Sequence, residues 1–129
     1  MPLSVFDGIV YINLDHRTDR NEAFLKEMER LRVDPSCFHR IPAFSDPLNG
    51  GRGCLKSHIK ALNAVKEKGW RRGLILEDDC FFPEAIDGAG IEEFFLNALE
   101  DWDVFLLGGI FSQKEEADLD LIVAATIDN

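Results

Sequence analysis

No run of about 18 apolar residues occurs in this sequence, which excludes a transmembrane helix. The opening residues, Met1 to Asp7, lack a basic segment followed by an apolar one. No signal peptide is read there, nothing directs export, and the expected location is the cytoplasm. Cysteine is scarce. Cys37, Cys54 and Cys80 are odd in number and widely spaced, so they form neither a disulfide framework nor a CxxC zinc pattern. They are expected to be small buried thiols in a reducing compartment. Basic residues are outnumbered, 14 against 24 acidic ones, for a formal charge of −10. Such a chain repels phosphate backbones and gains nothing at an anionic bilayer, so nucleic-acid and membrane-surface binding are disfavoured. A phosphate-bearing ligand would need a local basic cluster or a bound metal. Repeats and low-complexity segments are also missing.

What is present is apolar periodicity. At 129 residues with 46% hydrophobic side chains, the chain is expected to form one domain, 1–129, with a real core. Gly8 to Leu14 is a short β-branched run and reads as a first strand. Thr18 or Asp19 would cap a helix striped by Phe24, Leu25, Met28 and Leu31, stopped by Asp34-Pro35. Phe38 to Phe44 reads as a poorer second strand, placed at an edge or irregular position by Pro42. After a Gly- and Pro-rich loop, Ser45 to Gly53, a second helix is expected over Cys54 to Lys68. Its apolar arc would be Cys54, Leu55, Ile59, Leu62 and Val65, and Gly69 would end it. Gly73 to Leu76 is continuously apolar, as for a strand buried on both faces. A third helix fits Ile91 to Asp101 and a further strand Val104 to Leu107. An acidic stretch, Gln113 to Asp120, precedes a last strand, Leu121 to Thr126. This alternation predicts an α/β fold with a mostly parallel sheet. The last strand leads nowhere, so the chain reads as the N-terminal portion of a longer fold.

Three segments carry chemistry. The buried strand at Gly73 ends in Glu77-Asp78-Asp79, at the sheet edge where open α/β folds bind ligands. Three adjacent carboxylates repel one another unless a cation or donor groups compensate. In an extended chain Glu77 and Asp79 would share one side, able to hold Mg²⁺ or Mn²⁺, while Asp78 points away. A solvated acidic turn is the alternative. The turn after the first strand offers Asn13, Asp15, Arg17 and Arg20. Its arginines suit phosphate, as does a helix N-terminus; surface capping and ion pairs are the plain reading. In Gly50 to His58 the glycines permit a tight helix entry, but the spacing is neither a P-loop nor GxGxxG. Ser57 and His58, neighbours on a helix, diverge and cannot form a nucleophile–base pair. His58 lies one turn after Cys54, where a satisfied core histidine and a pocket residue both remain open.

Together, Ile12-Asn13-Leu14-Asp15 with Arg17, Asp19 and Arg20, then Gly53-Cys54 with Ser57-His58, then Leu76-Glu77-Asp78-Asp79, resemble glycosyltransferase family 25 in order and register. Asp103 to Gly108 looks like the family's next strand. The family includes bacterial lipooligosaccharide galactosyltransferases and collagen galactosyltransferases, and its members are longer than this chain. The resemblance implies a three-layer, GT-A-like (Rossmann-like) nucleotide-sugar-binding domain. The implied activity is metal-dependent transfer of a sugar, often galactose, from a UDP-sugar to a glycan or protein acceptor. It further implies that Glu77, Asp78 and Asp79 hold Mn²⁺ (or Mg²⁺), and that Asn13, Asp15, Arg17, Arg20, Ser57 and His58 belong to the nucleotide-sugar pocket. No catalytic base is indicated. The alternative is a non-catalytic remnant that binds a nucleotide sugar or a partner. A phosphoacceptor signalling domain fits less well, because its acidic pair belongs after the first strand.

Overall fold

Gly8–Asn13 (β1) is buried along its whole length, as the centre of a sheet covered on both faces must be. The computed structural model describes residues 3–83 and 88–97. After β1 come α1 (Thr18–Arg30), a 3₁₀ turn (Pro35–Cys37), β2 (Phe38–Pro42), α2 (Gly50–Glu67), β3 (Gly73–Glu77) and α3 (Gly88–Asn97). The expected elements beyond residue 97 lie outside the described residues.

The described sheet is entirely parallel, in the order β2-β1-β3. Ile9 pairs with Phe38 on one side and Leu74 on the other; Ile12 pairs with Ile41 and Glu77. Side chains alternate across a strand. Ile9 and Tyr11, with Leu74 and Leu76, therefore meet Phe24 and Met28 of α1 and Ile91 and Phe95 of α3. Val10 and Ile12 meet Ala61 and its neighbours of α2 on the opposite face. The result is an open, Rossmann-like α/β layer structure with helices on both faces. β3 is buried on the α1 side, through Leu74 and Leu76, but Ile75 on the α2 side is only half-buried. Burial on both faces, expected from its apolar run, is thus met on one.

Three helix details depart from the sequence reading. In α1 the N-cap position is Arg17, and no side chain caps it. Phe24, Met28 and Leu31 are buried as expected, whereas Leu25 is exposed and Glu27 takes its place inside. Arg30 accompanies Glu27, bonding its carboxylate through Nε at 2.9 Å and the Phe82 carbonyl through Nη2 at 2.9 Å. The helix is also closed before Asp34-Pro35. Arg32 adopts a left-handed conformation (φ 57°), and the Val33 N–H returns to the Met28 carbonyl at 3.0 Å. Asp34 caps the 3₁₀ turn instead, accepting from the Ser36 N–H at 2.8 Å.

In α2 the start moves from Cys54 to Gly50. Asn49 caps it by accepting from the Arg52 N–H at 3.0 Å, which outweighs the poor helix propensity of Gly50 and Gly51. Gly69, at φ 69°, ends it as expected. The buried face is not the large-residue arc. Gly53, Ser57 and Ala61, one turn apart, lie inside, while Leu55, Ile59 and Leu62 are exposed. Small residues win because the helix lies tight against the chain beneath it. A Cβ on Gly53 would sit 2.9 Å from the Phe44 carbonyl oxygen.

Candidate functional site

The chain passes from β1 through α1 to β2 on one side, then through α2 to β3 on the other. The direction of winding therefore reverses at β1. Open α/β sheets bind ligands beyond the carboxyl ends of the strands flanking such a reversal. Here those strands are β1 and β3. A cleft of about 320 Å³ lies there, its wall including Arg20, Phe44, Cys54, His58, Glu77 and Asp78.

Asn13 ends β1 and is 2% exposed. Its Nδ2 donates to Asp78 Oδ2 at 2.8 Å and to the Arg17 carbonyl at 3.1 Å. Its Oδ1 accepts from Arg40 Nε at 2.9 Å, and its carbonyl accepts from Arg40 Nη2 at 3.0 Å. The side chain joins the ends of all three strands and has its polar atoms engaged within the protein. Arg40 also reaches Asp15 Oδ1 at 2.6 Å, on the exposed turn. Arg17 grips Asp19 with two bonds of 3.0 and 2.9 Å. That pairing holds the Asp19 carboxyl well below the usual range. Arg20 turns the other way: its Nη1 lies 3.5 Å from Asp78 Oδ1, and its side chain stays 44% exposed on the cleft wall. Of the two arginines after β1, Arg20 alone lines the cleft.

Ser57 and His58 diverge as their spacing requires. Ser57 Oγ is buried, donating to the Gly53 carbonyl at 2.8 Å and accepting from the Phe44 N–H at 2.9 Å. It fastens the loop after β2 to the first turns of α2. His58 Nε2 lies 2.9 Å from Glu77 Oε1, across the cleft floor. The hydrogen bond from His58 is the main reason the Glu77 carboxyl sits below its ordinary value; burial opposes it.

The acidic run is not an extended strand end. β3 stops at Glu77, and residues 78 and 79 form a turn closed by the Cys80 N–H on the Glu77 carbonyl at 3.1 Å. Strict alternation, expected to put Glu77 and Asp79 on one side, therefore does not carry past residue 77. Glu77 faces His58 and Cys54, and Asp78 faces Asn13 and Arg20. Asp79 stands outside the described cleft wall, its Oδ1 buried without a hydrogen-bond partner. Burial first, then the neighbouring Glu77 and Asp78 charges, push the Asp79 carboxyl up. An acid so placed is one whose charge a cation would compensate, but Glu77, Asp78 and Asp79 turn to different partners and do not converge on one point in this structure.

Two participants escaped the sequence reading. Cys54, read as a buried thiol, is exposed at the cleft with Sγ 3.9 Å from Glu77 Oε1. Cys80 alone of the three cysteines is fully buried, its thiol pushed up to about 12 by desolvation. Cys54's spacing of four from His58 on one helix was the available signal. Arg40 gave none, because its role depends on the β1–β2 register.

No protein-family model matches the chain, and no solved structure matches it. Curated proteins do. The chain is 26% identical over 148 residues to procollagen galactosyltransferase 1 of Danio rerio, covering 88% of the chain and 23% of that protein. It is 25% identical, with the same coverages, to procollagen galactosyltransferase 1-B of Xenopus laevis. Procollagen galactosyltransferase 1-A of Xenopus laevis is 26% identical over 141 residues. The chain thus spans about a quarter of the length of these relatives. The likeness is distant, and it supports a relationship to glycosyltransferases.

Proposed function

We propose that this chain forms the donor-binding part of a galactosyltransferase-like enzyme of glycosyltransferase family 25, with a GT-A-like arrangement. It binds a UDP-sugar beside a divalent cation, Mn²⁺ or Mg²⁺, and passes the sugar to a hydroxyl of a glycan or protein acceptor. The observation that carries this reading is the meeting of Arg20, Glu77 and Asp78 in one cleft at the winding reversal of the sheet. A basic group and a cation there would offset the diphosphate charge in a chain of net −10. The distant likeness to procollagen galactosyltransferases supports the same reading.

Each residue then has a distinct task. Asp79, whose Oδ1 has no partner, would give the cation a carboxylate, with Glu77 coming into reach only as the turn at 78 and 79 adjusts; the cation would neutralise the charge of the departing UDP. Asp78, fixed by Asn13, orients Arg20 along the cleft wall, and Arg20 faces the phosphates. His58 positions Glu77. In the transfer, the bond from the sugar's anomeric carbon to the UDP oxygen breaks. A bond to the acceptor oxygen forms, and the acceptor hydroxyl gives up its proton. The test is UDP release from UDP-galactose with Mn²⁺ and a hydroxylated acceptor. Acceptor-dependent release supports transfer. Tight UDP binding with no release favours the alternative, a non-catalytic nucleotide-sugar-binding module.

A further inference from the structure

The cleft holds a second set of donors, of a different chemical kind. Cys54 and His58 are one turn apart on α2, so their side chains leave the same face of the helix. The end of β3 brings Glu77 to meet them. His58 Nε2 is 2.9 Å from Glu77 Oε1, Cys54 Sγ is 3.9 Å from the same oxygen, and the three donor atoms all lie within 4.8 Å of one another. Four-coordinate zinc, with bonds of about 2.0–2.3 Å, sets its ligand atoms roughly 3.3–3.6 Å apart. The separations from Glu77 fall on either side of that spacing and the Cys54–His58 pair lies within 4.8 Å, so side-chain shifts of up to about an ångström would close the donors on one ion. Cys54 is exposed and His58 and Glu77 are half-buried, which leaves room for water as a fourth ligand.

We propose that Cys54 Sγ, His58 Nε2 and Glu77 Oε1 form a binding site for a thiophilic divalent cation, Zn²⁺ above all. A thiolate and an imidazole select zinc, whereas magnesium and manganese prefer oxygen donors. Cys54 binds as the thiolate and releases its proton to solvent, and His58 carries its remaining proton on Nδ1. The site is separate in chemistry from the carboxylate run, but it shares Glu77 with it. Where the sugar-transfer reading holds, zinc in this site withdraws Glu77 from the hard cation.

The test uses metal alone, on the full chain with no nucleotide present. Titration with Co²⁺ as the spectroscopic probe is expected to give a thiolate-to-cobalt charge-transfer band saturating at one equivalent, and Zn²⁺ to displace it. Cys54→Ser should abolish the band, and His58→Ala should weaken Zn²⁺ binding at least tenfold against a chromophoric chelator. Cys37→Ser should retain both the band and the affinity. Circular dichroism confirms that each variant is folded. A band that survives Cys54→Ser, or one-to-one zinc binding that is indifferent to both substitutions, overturns the proposal. So does the absence of any saturable band in the parent protein. Failure here leaves the nucleotide reading standing, and failure of UDP binding leaves this site standing, because the two titrations share no ligand.

Discussion

Asn13 Nδ2 donates to Asp78 Oδ2 at 2.8 Å, across 65 residues of sequence. The bond ties the carboxyl end of β1 to the turn after β3, at the point where the sheet reverses its winding. Asp78 is 8% exposed, and its side chain meets this donor and the Arg20 guanidinium. Asn13→Ala leaves a buried carboxylate and the Arg40 guanidinium short of partners. It should cost about 2–3 kcal/mol of stability, since an unsatisfied buried polar group costs more than a bond returns. Urea unfolding of the variant against the parent measures it. A loss below about 0.5 kcal/mol would mean that the strand ends hold together without this residue.

Gly53 sets how closely α2 approaches the loop after β2. Gly53→Ala gains roughly 1 kcal/mol in helix propensity. Yet the added Cβ would stand 2.9 Å from the backbone oxygen of Phe44 and 3.2 Å from the Asp46 nitrogen. Backbone cannot swing aside as a side chain can, so net destabilisation of about 1–2 kcal/mol is expected. Thermal melting gives the sign, and a stabilised variant would show that the helix has slack there.

Arg20 lies on the cleft wall, 44% exposed and paired with Asp78 only at 3.5 Å, while Arg17 stands outside that wall and is gripped by Asp19 at 2.9 Å. Arg20→Ala should weaken UDP binding by about tenfold, roughly 1.4 kcal/mol, with the deficit shrinking at high salt as exposed charge is screened. Arg17→Ala should have a much smaller effect. Calorimetric titration at two ionic strengths distinguishes them, and equal losses for the two variants would contradict the assignment.

Asp79 and Glu77 respond to pH with opposite signs. Burial and adjacent acids raise the Asp79 carboxyl. Its ionisation therefore costs stability as pH rises through that raised value, and nothing below the ordinary carboxylate range near ~3.9. Asp79→Asn should raise the melting temperature by about 2–4 °C at neutral pH, and the gain should vanish near pH ~3. Glu77, held low chiefly by its hydrogen bond from His58, contributes stability above ~4.3 that is lost as pH falls through its lowered value. A destabilised Asp79→Asn at neutral pH would show that the carboxylate has a partner in the folded protein.

Strand identity was legible because the apolar runs are short and β-branched. The parallel arrangement followed from their alternation with helical patterns. The position of the acidic run at a strand end was equally visible, since Gly73 to Leu76 is apolar up to the residue before Glu77. What stayed hidden depended on tertiary distance. The inward face of α2 is set by how near the helix lies to the chain below, and that favoured Gly53, Ser57 and Ala61 over Leu55, Ile59 and Leu62. Arg40 acquires its role only when β2 lies beside β1 in register. The turn at 78 and 79 broke an alternation that holds only while the chain is extended.

In the proposed function, Asp79 at the end of β3 and Arg20 on the cleft wall act together on a metal-bound diphosphate. Calorimetric titration of UDP into the protein with Mn²⁺, and again with EDTA, tests it most directly, with Asp79→Asn as the matched variant. Saturable one-to-one binding that requires Mn²⁺ and falls at least tenfold in Asp79→Asn is the expected result. Equal binding in EDTA, or undiminished Mn²⁺-dependent binding in the variant, would contradict it.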